Sequence, residues 1–149
     1  DFISVEAFAK FSQWWARLMA TLGIIRSDWA RTRPVRVHGF MSRVASKRLL
    51  MQRECGTFLL RFSESKMGAL VISFTQPSVS VSRLSRVPRS LSVKHSLVEV
   101  KRGGRCCIQA EKGGMRCYAS LHDFVRRIPE LKKLYPDIPK EEAFGETPR

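Results

Sequence analysis

Acidic residues are scarce in this chain: 13 Asp and Glu stand against 27 Lys and Arg, a formal net charge of +14 over 149 residues. That imbalance argues against cationic partners. It favours anionic ones, namely nucleic acid, acidic lipid or phosphorylated protein, although solubility and non-specific attraction account for it equally well. No apolar run reaches the ~18 residues of a membrane-spanning helix, so no membrane insertion is expected. The opening Asp1-Phe2-Ile3-Ser4 lacks a basic region ahead of an apolar stretch, which argues against a secretory signal. Cys-x-x-Cys spacing is absent among Cys55, Cys106, Cys107 and Cys117. Free thiols in a reducing, cytoplasmic compartment are the simplest expectation, with Cys106 and Cys107 on opposite faces of any strand they occupy. A zinc site built from Cys106 or Cys107, Cys117 and His122 fits no zinc spacing. There is no Gly-rich nucleotide loop. His38, His95 and His122 show no recognisable pairing with a nucleophile, a Cys117–His122 hydrolase pair being the one conceivable arrangement. The expectation is a protein that is not an enzyme, with no cofactor and no metal.

What the chain does have is apolar material, 44% of its residues, enough for one full domain and a small appendage. Residues 4–22 predict an amphipathic helix capped by Ser4, with Val5, Phe8, Phe11, Trp15 and Met19 on one face and Gly23 at its end. A short turn around 27–30 precedes Pro34, which breaks any helix. Residues 42–52 predict a second helix with Ser42 as its cap and Val44, Leu49 and Met51 as apolar surface. Strands follow at 57–63, 69–75, 91–100, 105–110 and 115–118, with turns at Arg102-Gly103-Gly104 and Lys112-Gly113-Gly114. Residues 78–90 read as either an irregular edge strand or a basic loop. Ser120 caps a helix over 120–128, with Leu121, Phe124, Val125 and Ile128 on one stripe. Pro129 opens a further helical turn through Tyr135, and from Pro136 onward the chain is expected to trail over the surface. Hairpin-length turns require antiparallel pairing. The fold class is therefore α+β: a central antiparallel sheet flanked by helices, preceded by a helical segment.

One residue is out of place in that scheme. In residues 57–63, alternation puts Phe58, Leu60 and Phe62 on one face and Leu59, Arg61 and Ser63 on the other. Both faces carry large apolar residues, so both are covered and Arg61 lies mid-strand near the core. An unpaired buried guanidinium costs roughly several kcal/mol. An internal carboxylate (Glu64, Glu99 or Glu111) is one remedy. An external phosphate is the other, because a planar guanidinium meets two of its oxygens with parallel N–H bonds. Ser63, Ser65, Lys66 and Gly68, where the strand turns, supply hydroxyls, a cation and backbone N–H groups for such an anion.

The segment Gly56-Thr57-Phe58-Leu59-Leu60-Arg61-Phe62-Ser63-Glu64-Ser65 closely resembles the signature strand of Src homology 2 (SH2) domains, in the form carried by the signal transducers and activators of transcription, the STAT family. His38-Gly39-Phe40-Met41-Ser42-Arg43 resembles that family's entry into the first helix of the domain. Residues 135–145, from Tyr135-Pro136-Asp137 to Phe144-Gly145, match its end, and residues 4–33, with Phe11, Trp14, Trp15 and Trp29, are similar to its helical linker. The resemblance implies a linker over 1–35 and an SH2 domain over 36–149. By the same resemblance Arg61 holds phosphotyrosine, Arg43 adds a second contact, and Ser63, Glu64 and Ser65 form the phosphate-binding turn. A solvated helix arginine is the plainer reading of Arg43. Val93 to Leu97 and Tyr118 to Val125 look more like Src-type SH2 domains, where the histidine matching His95 frames the pocket; a purely structural histidine is the alternative. Leu97 stands where many such domains carry a basic residue, leaving Lys66, Arg83, Arg86 or Arg89 to compensate. The implied partner is a tyrosine-phosphorylated peptide or protein, including the phosphorylated tail of an identical chain. Nucleic acid would be bound only through other domains of the parent protein, and the implied location is the cytoplasm with passage to the nucleus. The rival from composition alone is a basic nucleic-acid-binding domain resting on the net charge and residues 78–94. Its affinity would fall steeply with salt and ignore tyrosine phosphorylation.

Overall fold

Ser4 starts the first helix as predicted. Its hydroxyl accepts a hydrogen bond from the Ala7 amide at 3.2 Å, and α1 runs Val5–Ile24. The helix passes through Gly23 because the Ile25 amide still reaches the Thr21 carbonyl at 3.0 Å. The apolar stripe read from the sequence is not the packed face. Val5, Phe8, Phe11, Trp15 and Met19 are 86, 61, 56, 49 and 46% exposed. The face against the domain carries Leu18 and Thr21, which are buried, with Trp14 and Leu22 partly so. A computed structural model describes residues 3–78, 90–110 and 113–145.

A one-turn helix α2 (Arg26–Trp29) leads into β1 (Val37–Phe40), and α3 (Arg43–Leu50) follows, its first turn capped by Ser42, whose hydroxyl accepts from the Ala45 amide at 3.0 Å. The sheet is then built from β2 (Thr57–Phe62), β3 (Leu70–Pro77), β4 (Leu91–Val100), β5 (Cys106–Gln109) and β6 (Met115–Tyr118). These five strands pair antiparallel in sequence order, and every residue of β2 is buried. α4 (Leu121–Arg127) opens at Ser120, whose hydroxyl accepts from the Asp123 amide at 3.0 Å. Phe58, Leu60, Phe62, Leu70, Ile72 and Val98 form the core with Leu121, Phe124 and Val125 of α4. The expected turn at 102–104 is a short 3-10 turn in which Gly103 and Gly104 take positive φ. The expected strand or loop over 78–90 lies outside the described residues apart from its ends, where the Ser78 amide donates to the Ser90 carbonyl at 2.7 Å.

Three expectations need correction. Residues 129–135 do not open a helix. The amides of Lys132, Lys133 and Tyr135 are taken by the carbonyls of Gly56 and Phe58, which draws β7 (Lys133–Leu134) alongside β2 in parallel. β1 also pairs parallel with β2, further along the same strand, so the antiparallel centre has a parallel flank. Nor does the chain trail away after Pro136. β8 (Ile138–Pro139) pairs with β7, and α5 (Lys140–Phe144) buries Ala143 and Phe144 in the core. Lys140 Nζ donates to the Ile128 and Arg126 carbonyls at 2.8 and 3.1 Å, satisfying acceptors that the end of α4 leaves open. Finally, two thiols are not free. Cys107 and Cys117 face each other in the β5–β6 register with Cα atoms 4.1 Å apart and form a disulfide, while Cys106, on the opposite face, is buried in the core. Burial, reinforced by the charge of Asp28, pushes the Cys106 thiol up to about 12, so it is inert.

The N-terminal helices are tied to the sheet by charge as well as packing. Asp28 on α2 accepts from Arg36 Nη1 at 2.6 Å and from His122 Nε2 of α4 at 2.9 Å, and Arg36 Nε donates to the Ala143 carbonyl at 2.7 Å. Burial alone would raise the Asp28 carboxyl, but the hydrogen bonds and charges of His122 and Arg36 outweigh it and hold the group below the ordinary aspartate value. Arg36 is almost completely buried, and its guanidinium lies 5.0 Å from the centre of the Phe144 ring.

Candidate anion-binding site

β2 alternates as the sequence demands. One face enters the core with α4, and the other, carrying Leu59 and Arg61, turns toward α3. Arg61 pairs in register with Val71, which pairs with Leu97, so its neighbours across the sheet are aliphatic. The residue is 4% exposed. Its Nη1 donates to the Phe62 carbonyl at 3.3 Å, and its buried Nε has no hydrogen-bond partner. Among the described residues no carboxylate lies within ion-pair distance of it. Burial lowers the pKa of Arg61, Glu64 opposes that shift through its charge, and Arg43 adds to it.

Of the internal carboxylates offered as an alternative, one is engaged elsewhere. Glu99 is paired with Lys66 and, at 2.5 Å, with Lys101. Hydrogen bonds from Lys101 and Lys66 outweigh a small burial effect and lower its carboxyl to about 2. Glu64 feels Arg61 only through space. Glu111 lies outside the described residues.

Arg43 opens α3, exposed at its first turn, and His95 stands on β4 opposite Ser73, whose hydroxyl is 2.7 Å from its Nδ1. Burial first, and then the charges of Arg43, Arg61 and Lys47 in that order, together lower His95 to about 4. The imidazole is therefore neutral at pH 7, and four basic groups share one field. Lys47 was missed in the sequence. The signal was there, since it follows Arg43 by four residues, one helical turn on the same face.

Ser63 is buried and accepts the Lys66 amide at 3.0 Å, with its hydroxyl 3.4 Å from that of Ser65, so the turn after β2 is closed by its own serine. Glu64 and Ser65 are exposed on it. Gly68 shapes the far end. Its φ is +74°, and a Cβ there would stand 2.7 Å from the Arg17 carbonyl of α1. Thr21 of α1 donates to the Gly68 carbonyl at 2.5 Å, so the turn is buttressed from behind by the N-terminal helix. Lys66, expected to compensate for Leu97, is paired with Glu99, and Arg83, Arg86 and Arg89 lie outside the described residues.

On the opposite face of the sheet a groove of about 560 Å³ opens between β4, β5, β6 and the loop after α4, lined by Ile72, Lys94, Ile108, Arg116, Tyr118 and Leu131 among others. Between the two sites, among the described residues, β4 pairs with β3 over residues 91–97 and is joined by β5 only from Val98 onward. Among the described residues no group of His, Cys, Asp and Glu is arranged to hold a metal ion, and no helix is long and apolar enough to cross a membrane.

The family model for the SH2 domain matches residues 37–135. The chain is 36% identical over 111 residues to signal transducer and activator of transcription 4 of Mus musculus, covering 73% of this chain and 13% of that protein. It is 30% identical over 135 residues to signal transducer and activator of transcription 6 of Homo sapiens, covering 90% and 13%. To the signal transducer and transcription activator of Anopheles gambiae it is 29% identical over 135 residues, covering 88% and 16%. The chain thus spans about 13% of the length of the first of these relatives.

Proposed function

The chain belongs to the SH2 domain family and is similar in sequence to STAT proteins, and from that premise we propose that it captures phosphotyrosine peptides with Arg61 as the central phosphate ligand. One observation carries the reading: a guanidinium 4% exposed, with no carboxylate partner among the described residues and an unsatisfied Nε, set in a field of further cations. A phosphate bearing about −1.5 to −2 charges supplies what that arrangement lacks. Arg61 meets it with its planar fork and Arg43 from the helix side. The turn at Ser63, Glu64 and Ser65 closes over it with hydroxyl and amide donors, and Lys47 adds charge. His95, neutral and held by Ser73, forms part of the wall. Charge-assisted bonds of this kind contribute roughly 1.5–3 kcal/mol each.

Among the described residues β5 joins β4 only from Val98 onward, which lets an extended peptide cross β4 ahead of that point from the phosphate side to the groove on the other face, so flanking residues meet the segments near 103–118 and 129–136. We assign residues 1–35 to a helical linker and 36–149 to the SH2 domain. We further propose that the module is not an enzyme and works in a signalling protein that moves from cytoplasm to nucleus. Its partner there is a phosphorylated protein, including the phosphorylated tail of an identical chain, so that reciprocal docking makes a dimer. Contacts with nucleic acid belong to other domains of that protein.

Titration with matched phosphotyrosine, phosphoserine and unmodified peptides tests the reading. Only the phosphotyrosine peptide should bind, and enzymatic dephosphorylation at fixed salt should abolish the signal. Binding that ignores phosphorylation and collapses only with salt would point to the nucleic-acid alternative.

A further inference from the structure

We infer that Arg116 makes the groove select an acidic side chain flanking the phosphotyrosine. The inference rests on the phosphopeptide reading and names the substrate preference of that same site.

The groove floor is apolar. Ile72 and Phe74 come from β3, Ile108 from β5, Tyr118 from β6, and Ile128 and Leu131 from beyond α4. Its rim is cationic. Arg116 sits on β6 directly opposite Ile108 in the β5–β6 register and shares a strand face with Tyr118, so it stands over that floor. It is exposed and has no ion pair among the described residues. Lys94 on β4 and Arg127 at the end of α4 add positive charge to the same rim. Arg127 is already engaged, its Nε 2.6 Å from Asp123 Oδ1. Glu130 is the one acidic lining residue among those described. The balance leaves Arg116 as the cation most open to a ligand carboxylate.

Geometry limits where that carboxylate can be. A peptide passing over β4 ahead of Val98 must travel from one face of the sheet to the other, roughly 10 Å, or about three extended residues. The occupant is therefore a segment with an aliphatic side chain for the floor and a glutamate or aspartate for the rim, within about four residues of the phosphotyrosine. The antiparallel pairing of β5 with β6 holds the strand that carries Arg116 against β5, so the rim is in place before the peptide arrives.

Calorimetric titration of the whole chain with phosphotyrosine peptides carrying Glu, Gln or Lys at each flanking position in turn tests the idea. At one position Glu should bind roughly three- to fivefold tighter than Gln, and Lys weaker than either, with the spread shrinking as salt rises. Arg116→Gln should erase that preference, bringing the Glu and Gln peptides to the same affinity. Arg116→Glu should reverse it in favour of Lys. Both substitutions are at an exposed strand position, and far-UV circular dichroism confirms the fold. If phosphopeptides bind but Glu, Gln and Lys are indistinguishable everywhere, or Arg116→Gln leaves the preference intact, the inference falls and the phosphate site stands. If no phosphopeptide binds at all, both fall together.

Discussion

Replacing Arg61 by methionine should make the unliganded protein more stable while destroying its binding. The guanidinium is buried beside Val71, has one weak hydrogen bond to the Phe62 carbonyl and, among the described residues, lacks a counter-ion. Removing an uncompensated buried charge in favour of a side chain of similar length is stabilising by roughly 1–4 kcal/mol in well-packed sites. The lost bond at 3.3 Å offsets part of that, so a gain of about 1–2 kcal/mol is expected, or a rise in Tm of roughly 2–8 °C. Binding moves the other way. Two charge-assisted bonds at roughly 1.5–3 kcal/mol each disappear, a loss of at least about 100-fold in Kd. Arg61→Lys keeps the charge but not the fork and should lose about 2 kcal/mol, near 30-fold. Thermal unfolding with and without a phosphotyrosine peptide reads both effects at once. The wild type should gain Tm with peptide, and Arg61→Met should start higher and gain nothing. A methionine variant that melts lower than wild type would mean that Arg61 holds the fold together, and the argument from an unneutralised cation would be wrong.

Three further outcomes follow from the geometry. His95 is held near 4 in the fold against an ordinary value of 6.5, so between those pH values the unfolded chain binds more protons. Stability should therefore fall as pH drops through that window, by on the order of 1 kcal/mol after allowing for partial solvation. His95→Asn should flatten the curve of urea midpoint against pH without abolishing it, because buried His38 is shifted in the same direction. Reducing the Cys107–Cys117 bridge should cost roughly 2–3 kcal/mol, and thiol titration under denaturing conditions should count only Cys55 and Cys106 before reductant is added; equal urea midpoints with and without reductant would contradict the pairing. Asp28→Ala leaves Arg36 buried without its partner and should lower stability by roughly 3–5 kcal/mol, a loss under about 1 kcal/mol in urea denaturation showing the junction to be incidental.

Local pattern was legible wherever a feature is decided within a few residues. The alternation of Phe58, Leu60 and Phe62 against Leu59 and Arg61 announced a strand covered on both faces, and the buried arginine followed from it. Ser4, Ser42 and Ser120 announced three helix starts through hydroxyls that each cap a nearby amide. What escaped was decided between distant segments. Nothing near Lys133 says that its amide will find Gly56, so a proline-initiated helix looked plausible where a parallel strand forms. Phe144 is buried only because Arg36, His122 and Phe58 come to it from three other parts of the chain. Cys107 and Cys117 meet because one register out of several was chosen on either side of the Gly113-Gly114 turn. The candidate site shows the same division: Arg61, Arg43 and the serine turn stood out locally, whereas the support of Ser73 for His95 and of Thr21 for Gly68 depends on tertiary approach.

The first helix has a practical consequence. It presents Val5, Phe8, Phe11, Trp15 and Met19 to water along one flank, a greasy strip on an otherwise cationic particle. Purified by itself, the chain should adhere to hydrophobic resin, brighten environment-sensitive dyes without unfolding, and sediment faster as it is concentrated. Phosphopeptide affinities are therefore cleanest in dilute solution, where stickiness of that flank is not mistaken for avidity.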